Sequence, residues 1–163
     1  MDVFEYAMQM EKDGEKYYRE LAQKSPDRGL ARILTMLADQ EVQHFDTLQA
    51  LRRGEDVHAD AGTFRSDAKN VFQELSESKA SFDFSTPQVD LYKKAQETEQ
   101  KSRDFYLKQA EEATSPGMKE TLLAIAHEEK LHYDMLETMI ELVSRPQPGN
   151  WLENAEWYHS DEY

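Results

Sequence analysis

The sequence predicts an all-α protein, a four-helix bundle made of one antiparallel hairpin used twice and joined by a long crossover. Three observations predict it. Shifting the chain by 88 residues aligns 2–52 with 90–140 without gaps, and twelve of the 51 pairs are identical, where roughly three would coincide by chance. Within each copy, apolar residues recur at spacings of three and four, the period of an amphipathic helix. The breaks inside each copy are short, so the two helices they join must be antiparallel neighbours.

The first helix is expected over residues 2–24, where Val3, Ala7, Met10, Gly14, Tyr17, Tyr18 and Leu21 share one face. Ser25-Pro26-Asp27 and Gly29 punctuate it, and Ser and Asp suit the cap of the next helix. Leu30, Ile33, Leu34, Leu37, Ala38, Phe45, Leu48 and Leu51 mark the second helix, which is expected to stop near Gly54. The second copy repeats the pattern over roughly 88–113 and 117–144, broken by Thr114-Ser115-Pro116-Gly117. Residues 54–86 are too long for a turn and hold one weaker helical pattern: Phe64, Ala68, Val71, Phe72 and Leu75. A connection of that length can run along the bundle and leave its second and third helices parallel, the connectivity of ferritin-like bundles. The expected division is a bundle over 1–145 and a tail over 146–163. Trp151, Leu152, Trp157, Tyr158 and Tyr163 in the tail favour docking on the bundle or on a partner subunit.

Composition narrows the function. The 163 residues suit one domain with one core. The formal net charge of −14 repels phosphate backbones, which argues against nucleic acid as a partner. No apolar run is long enough for a transmembrane helix, and Met-Asp-Val-Phe-Glu does not open like a signal peptide, so a cytoplasmic protein without membrane contact is expected. The absence of cysteine excludes disulfides, thiolate metal sites and a cysteine nucleophile.

The chemistry lies in a pattern that the repeat doubles. A Glu and a His three residues apart share one helix face, so carboxylate and imidazole can converge on one ion. One such pair carries little information, but Glu41-x-x-His44 and Glu129-x-x-His132 occupy equivalent repeat positions. Another glutamate, Glu11 or Glu99, stands thirty residues upstream of each pair's glutamate. A Glu from each of two helices and a Glu-x-x-His from each of the other two is the inventory of dinuclear carboxylate bundles. Four carboxylates and two neutral imidazoles balance two divalent ions, and this donor set suits iron or manganese, with zinc also possible. The alternative, solvated glutamates and core histidines, fits poorly because Leu37, Ala38, Phe45 and Leu48, with their counterparts Ile125, Ala126, Tyr133 and Leu136, surround both pairs with apolar neighbours.

Tyr18 and Tyr106 lie two turns beyond Glu11 and Glu99 and can donate hydrogen bonds to ligand carboxylates, although aromatic core is an equal reading. Glu128 is within helical reach of His132, but its repeat partner is the neutral Gln40. Glu129 is therefore the expected ligand, and Glu128→Gln is expected to leave the site intact. The seven methionines are read as packing, and His58, His127 and His159 as non-ligands.

These residues give the chain its resemblance to the rubrerythrin branch of the ferritin-like superfamily. The motifs are Ala7-x-x-x-Glu11-x-x-Gly14-x-x-x-Tyr18 with Leu37-Ala38-x-x-Glu41-x-x-His44, and Ala95-x-x-x-Glu99-x-x-Ser102-x-x-x-Tyr106 with Ile125-Ala126-x-x-Glu129-x-x-His132. The tail from Asn150 to Trp157 is similar to the ending of stand-alone ferritin-like proteins. The resemblance implies two iron ions in a non-haem centre that reduces hydrogen peroxide or oxygen and protects against oxidative stress, in a homodimer or larger assembly. Full rubrerythrins add a rubredoxin domain with four cysteines, which this cysteine-free chain lacks, so an external electron donor is implied. They also carry a further carboxylate where this chain has Ser102, and a symmetric six-ligand site follows. Two other functions fit the sequence: iron oxidation and storage, which requires a hollow assembly, and a helical module whose metal is structural.

Overall fold

The computed structural model describes residues 2–55, 57, 62–77 and 86–144. The fold is the all-α, ferritin-like bundle that the sequence predicts, with no strand among the described residues. Helix α1 spans Val3–Lys24, α2 Arg28–Arg52, α3 Phe64–Glu77, α4 Thr86–Glu112 and α5 Pro116–Ser144. The helices α1 and α2 form one hairpin and α4 and α5 the other, while α3 lies in the crossover against α2.

Side-chain caps set the helix starts. Asp2 accepts a hydrogen bond from the Glu5 amide at 2.8 Å, and Asp27 accepts one from the Leu30 amide at 2.9 Å. Ser115 does the same for Met118 at 3.0 Å, with Pro116 as the first residue of α5. Each cap satisfies an amide that the first helical turn leaves unpaired. Gly29 and Gly117, expected to punctuate the chain, instead lie inside the first turns of α2 and α5. At Gly29 the reason is space: a Cβ there would stand 2.6 Å from Leu75 of α3. Gly54 ends α2 in the left-handed conformation, φ 75°, that lets the last turn close.

Two apolar clusters fill the bundle, one at each end. Tyr18 and Leu21 of α1, Leu30 and Leu34 of α2, Tyr92 and Ala95 of α4, and Met135 and Met139 of α5 belong to the first. Ala68, Val71, Phe72 and Leu75 of α3 complete it. The second gathers Ala7, Leu48, Tyr106, Ala110, Leu122 and Ile125 from the opposite helix ends. The end of α1 therefore meets the start of α4, so these two helices are antiparallel, and α2 runs parallel to α4, as the crossover requires. The site lies between the two clusters. No helix among the described residues is long and apolar enough to cross a membrane. The expected tail docking over 146–163, with His58 and His159, falls outside the described residues.

Candidate metal centre

Four helices each carry a carboxylate to the middle of the bundle. Glu11 comes from α1, Glu41 and His44 from α2, Glu99 from α4, and Glu129 and His132 from α5. All six side chains are buried, at 4% exposure or less. Such burial excludes a solvated-surface role, because an unpaired buried carboxylate is strongly unfavourable.

Their donor atoms form two overlapping groups. One contains Glu11, Glu41, His44 and Glu129, the other Glu41, Glu99, Glu129 and His132, each with its ligand atoms within 4.8 Å of one another. Glu41 and Glu129 belong to both. The first group has the His44 Nδ1 at 3.0 Å from Glu129 Oε1 and 3.5 Å from Glu11 Oε2. In the second, the His132 Nδ1 is 3.5 Å from Glu99 Oε1. The imidazoles stack with centroids 5.8 Å apart.

The inward atoms fit metal ions. Glu11 Oε2, Glu99 Oε2, Glu129 Oε1 and the Nδ1 atoms of His44 and His132 are buried without a hydrogen-bond partner among the described residues. Buried polar atoms are ordinarily satisfied, and these all belong to residues of the two donor groups. An oxygen-rich shell with one imidazole per position suits a divalent first-row ion such as iron.

One oxygen each of Glu99 and Glu11 is held by a tyrosine. Tyr18 donates to Glu99 Oε1 and Tyr106 to Glu11 Oε1, both at 2.5 Å, so each tyrosine reaches from one repeat to the other. Burial, followed by the charge of Glu99 or Glu11, holds both phenols well above their ordinary pKa, so they remain donors. Gly14 makes room for Glu41, since a Cβ there would meet the carboxylate at 3.1 Å. A cavity of about 300 Å³ between α1 and α4, lined by Tyr17, Lys94, Lys101 and Ser102 among others, reaches Glu41, Glu99 and Glu129. His127 is exposed and belongs to neither donor group, and Met135 and Met139 are core.

Sequence reasoning missed the partner of one histidine. Glu128 does not serve His132 on its own helix. Its carboxylate contacts Nε2 of His44, across the α2–α5 pair. Nothing local signals this, because the two residues are 84 positions apart.

The crowding of carboxylates sets the acid–base behaviour. Burial, then the charges of Glu11 and Glu129, pushes Glu41 well above the usual carboxylate range. Burial and the charges of Glu99 and Glu11 do the same to Glu129. Burial disfavours protonated His44, but Glu11, Glu128 and Glu129 outweigh it and raise its pKa. Burial also pushes Glu11 upward, yet His44 and its hydrogen-bonding neighbours outweigh that and leave it below the usual value.

Glu41, Glu129 and His44 therefore bind more protons folded than unfolded in the metal-free protein. Their contribution to stability is complete below the unfolded pKa values, about 4.3 for Glu and 6.5 for His. It is lost as pH rises toward the raised folded values. Glu11 acts oppositely, at acid pH. Metal-free melting temperature should consequently fall from weakly acidic to weakly alkaline pH, and stabilisation by added divalent metal should grow over the same range. Differential scanning calorimetry with and without metal measures both trends; a metal effect independent of pH contradicts them.

Comparison with known proteins agrees with this geometry. The family model described as Rubrerythrin matches residues 2–140. No curated protein and no solved structure matches the chain.

Proposed function

The chain belongs to the rubrerythrin family, and on that premise we propose that it is a non-haem di-iron oxidoreductase reducing hydrogen peroxide or oxygen with electrons from an external donor. The observation that carries the reading is the pair of overlapping donor groups with two shared carboxylates. Glu11, Glu41, His44 and Glu129 would hold one ion, and Glu41, Glu99, Glu129 and His132 the other. When bound, two ferrous ions supply one electron each, matching the two-electron reduction of peroxide to water.

The chain's own residues organise that chemistry. The sharing of Glu41 and Glu129 keeps the two positions adjacent, so a small oxidant can meet both. The missing Cβ at Gly14 gives the Glu41 carboxylate the space it occupies beside α1. Tyr18 and Tyr106 each hold one oxygen of Glu99 and Glu11, leaving the other free to ligate. The α1–α4 cavity offers a path of about 300 Å³, ample for peroxide or oxygen. The apolar clusters at either end limit water entry along the bundle axis.

Reduction of peroxide consumes two electrons and two protons, and the cysteine-free chain offers no thiolate electron relay. Turnover should stop after one equivalent of peroxide per loaded chain unless reductant is supplied. The test is anaerobic stopped-flow of the ferrous-loaded protein against peroxide and, separately, oxygen, following absorbance as ferrous ions become ferric. Fast oxidation by peroxide with slower oxidation by oxygen supports the proposal. Inertness to both leaves only a structural metal site and sinks it.

A further inference from the structure

The repeat makes the six ligands symmetric, but their surroundings are not. Position 40 of the first copy corresponds to position 128 of the second, and they hold a neutral Gln and an acidic Glu. Glu128, whose side chain is 29% exposed, places its carboxylate on Nε2 of buried His44. A carboxylate facing an imidazole that ligates a metal is an acceptor only, so Nε2 must carry the proton. That leaves the Nδ1 lone pair directed at Glu11 and Glu129, where the first donor group converges.

Among the described residues, His132 has no such support. Its Nε2 is buried without a hydrogen-bond partner among the described residues. The ring of Phe64, from the start of α3, stands edge-on to the His132 ring with centroids 5.5 Å apart. Gln40, the residue equivalent to Glu128, has its amide nitrogen 3.3 Å from Gln43 Oε1 instead. One histidine is thus oriented and made more basic by a carboxylate, whereas the other sits against an apolar ring.

We infer that Glu128 is a positioning residue that makes the two metal positions unequal, the His44 position binding a divalent ion more tightly than the His132 position. The inference rests on the dinuclear reading above. A carboxylate behind a ligand histidine fixes its tautomer and raises its basicity, and losing such a partner typically costs about 10–100-fold in metal affinity. Glu128 acts through His44 and is not itself a ligand, since it meets the nitrogen that faces away from the cluster. This replaces the sequence-based expectation that Glu128→Gln leaves the site intact.

The test is anaerobic titration of the metal-free protein with Co²⁺, read by calorimetry and by the visible ligand-field bands of the ion. The wild type should bind in two separable steps. Glu128→Gln, which keeps an acceptor but removes the charge, should weaken the tighter step by about tenfold, and Glu128→Ala by up to about a hundredfold. The weaker step should stay nearly unchanged, which a merely structural role would not produce. Two wild-type steps of equal affinity, or two steps that neither variant alters, overturn the inference and leave the dinuclear reading standing. A wild type that takes up no Co²⁺ overturns both.

Discussion

Glu41→Gln or Glu129→Gln should remove both metal ions together, whereas His44→Ala or His132→Ala should remove mainly one. The difference follows from membership: each of these glutamates belongs to both donor groups, and each histidine to one. A glutamine of the same shape takes a negative charge from both positions and replaces a carboxylate that can serve two ions with a weak neutral donor. Metal analysis of anaerobically prepared protein should give close to two ions per wild-type chain, close to none for the glutamine variants and about one for the histidine variants. The glutamine variants carry their own control against misfolding. Folding raises the pKa of both glutamates well above the usual range, so each ionised carboxylate opposes folding of the metal-free protein at neutral pH. Metal-free Glu41→Gln and Glu129→Gln should therefore melt higher than metal-free wild type while binding far less metal. A variant that keeps one tightly bound ion would show that its glutamate is not shared.

Phe72→Ala should destabilise the protein by about 3–5 kcal/mol, the usual range for truncating a buried phenylalanine. A domain of this kind has total stability of about 5–15 kcal/mol, so the loss is large. Phe72 belongs to the crossover helix, yet it is fully buried in the cluster that holds Leu34 and Met135. The expectation tests whether α3 is part of the core or only laid over it. Urea unfolding of metal-free wild type and variant measures the difference without any contribution from the ions. A loss below about 1 kcal/mol would mean that the site collapses around the missing ring or that α3 adds little to the core.

The periodicity of the apolar residues and the 88-residue repeat were enough to define the helical hairpins and their antiparallel pairing. Both follow from local rules: the helical period shows which face is buried, and a short break forces neighbours together. The donor inventory was legible for the same reason. Glu41 with His44 and Glu129 with His132 each lie within one helical turn, and the repeat supplied Glu11 and Glu99 as counterparts. Even α3 was visible, because Phe64, Ala68, Val71, Phe72 and Leu75 keep the helical spacing. Gly29 misled at the start of α2, since a glycine needed for space looks the same in sequence as one that breaks a helix.

What lies between helices was decided by tertiary structure alone. The sequence placed Tyr18 two turns beyond Glu11, but the tyrosine bonds Glu99, and Tyr106 likewise bonds Glu11. Helical side chains lean toward their own N-terminus, so Glu11 leans away from Tyr18, while Glu99 on antiparallel α4 leans toward it. The attachment of Glu128 to His44, and the apolar setting of His132 against Phe64, likewise join residues from different helices. The sequence by itself determined the helices, the repeat and the six candidate ligands, because each depends on spacing along one chain direction. Which carboxylates belong to both donor groups, and which histidine gains a supporting carboxylate, depended on how four helices approach one another. The sequence shows that the two copies differ at positions 40 and 128, but only packing reveals what each of those residues meets.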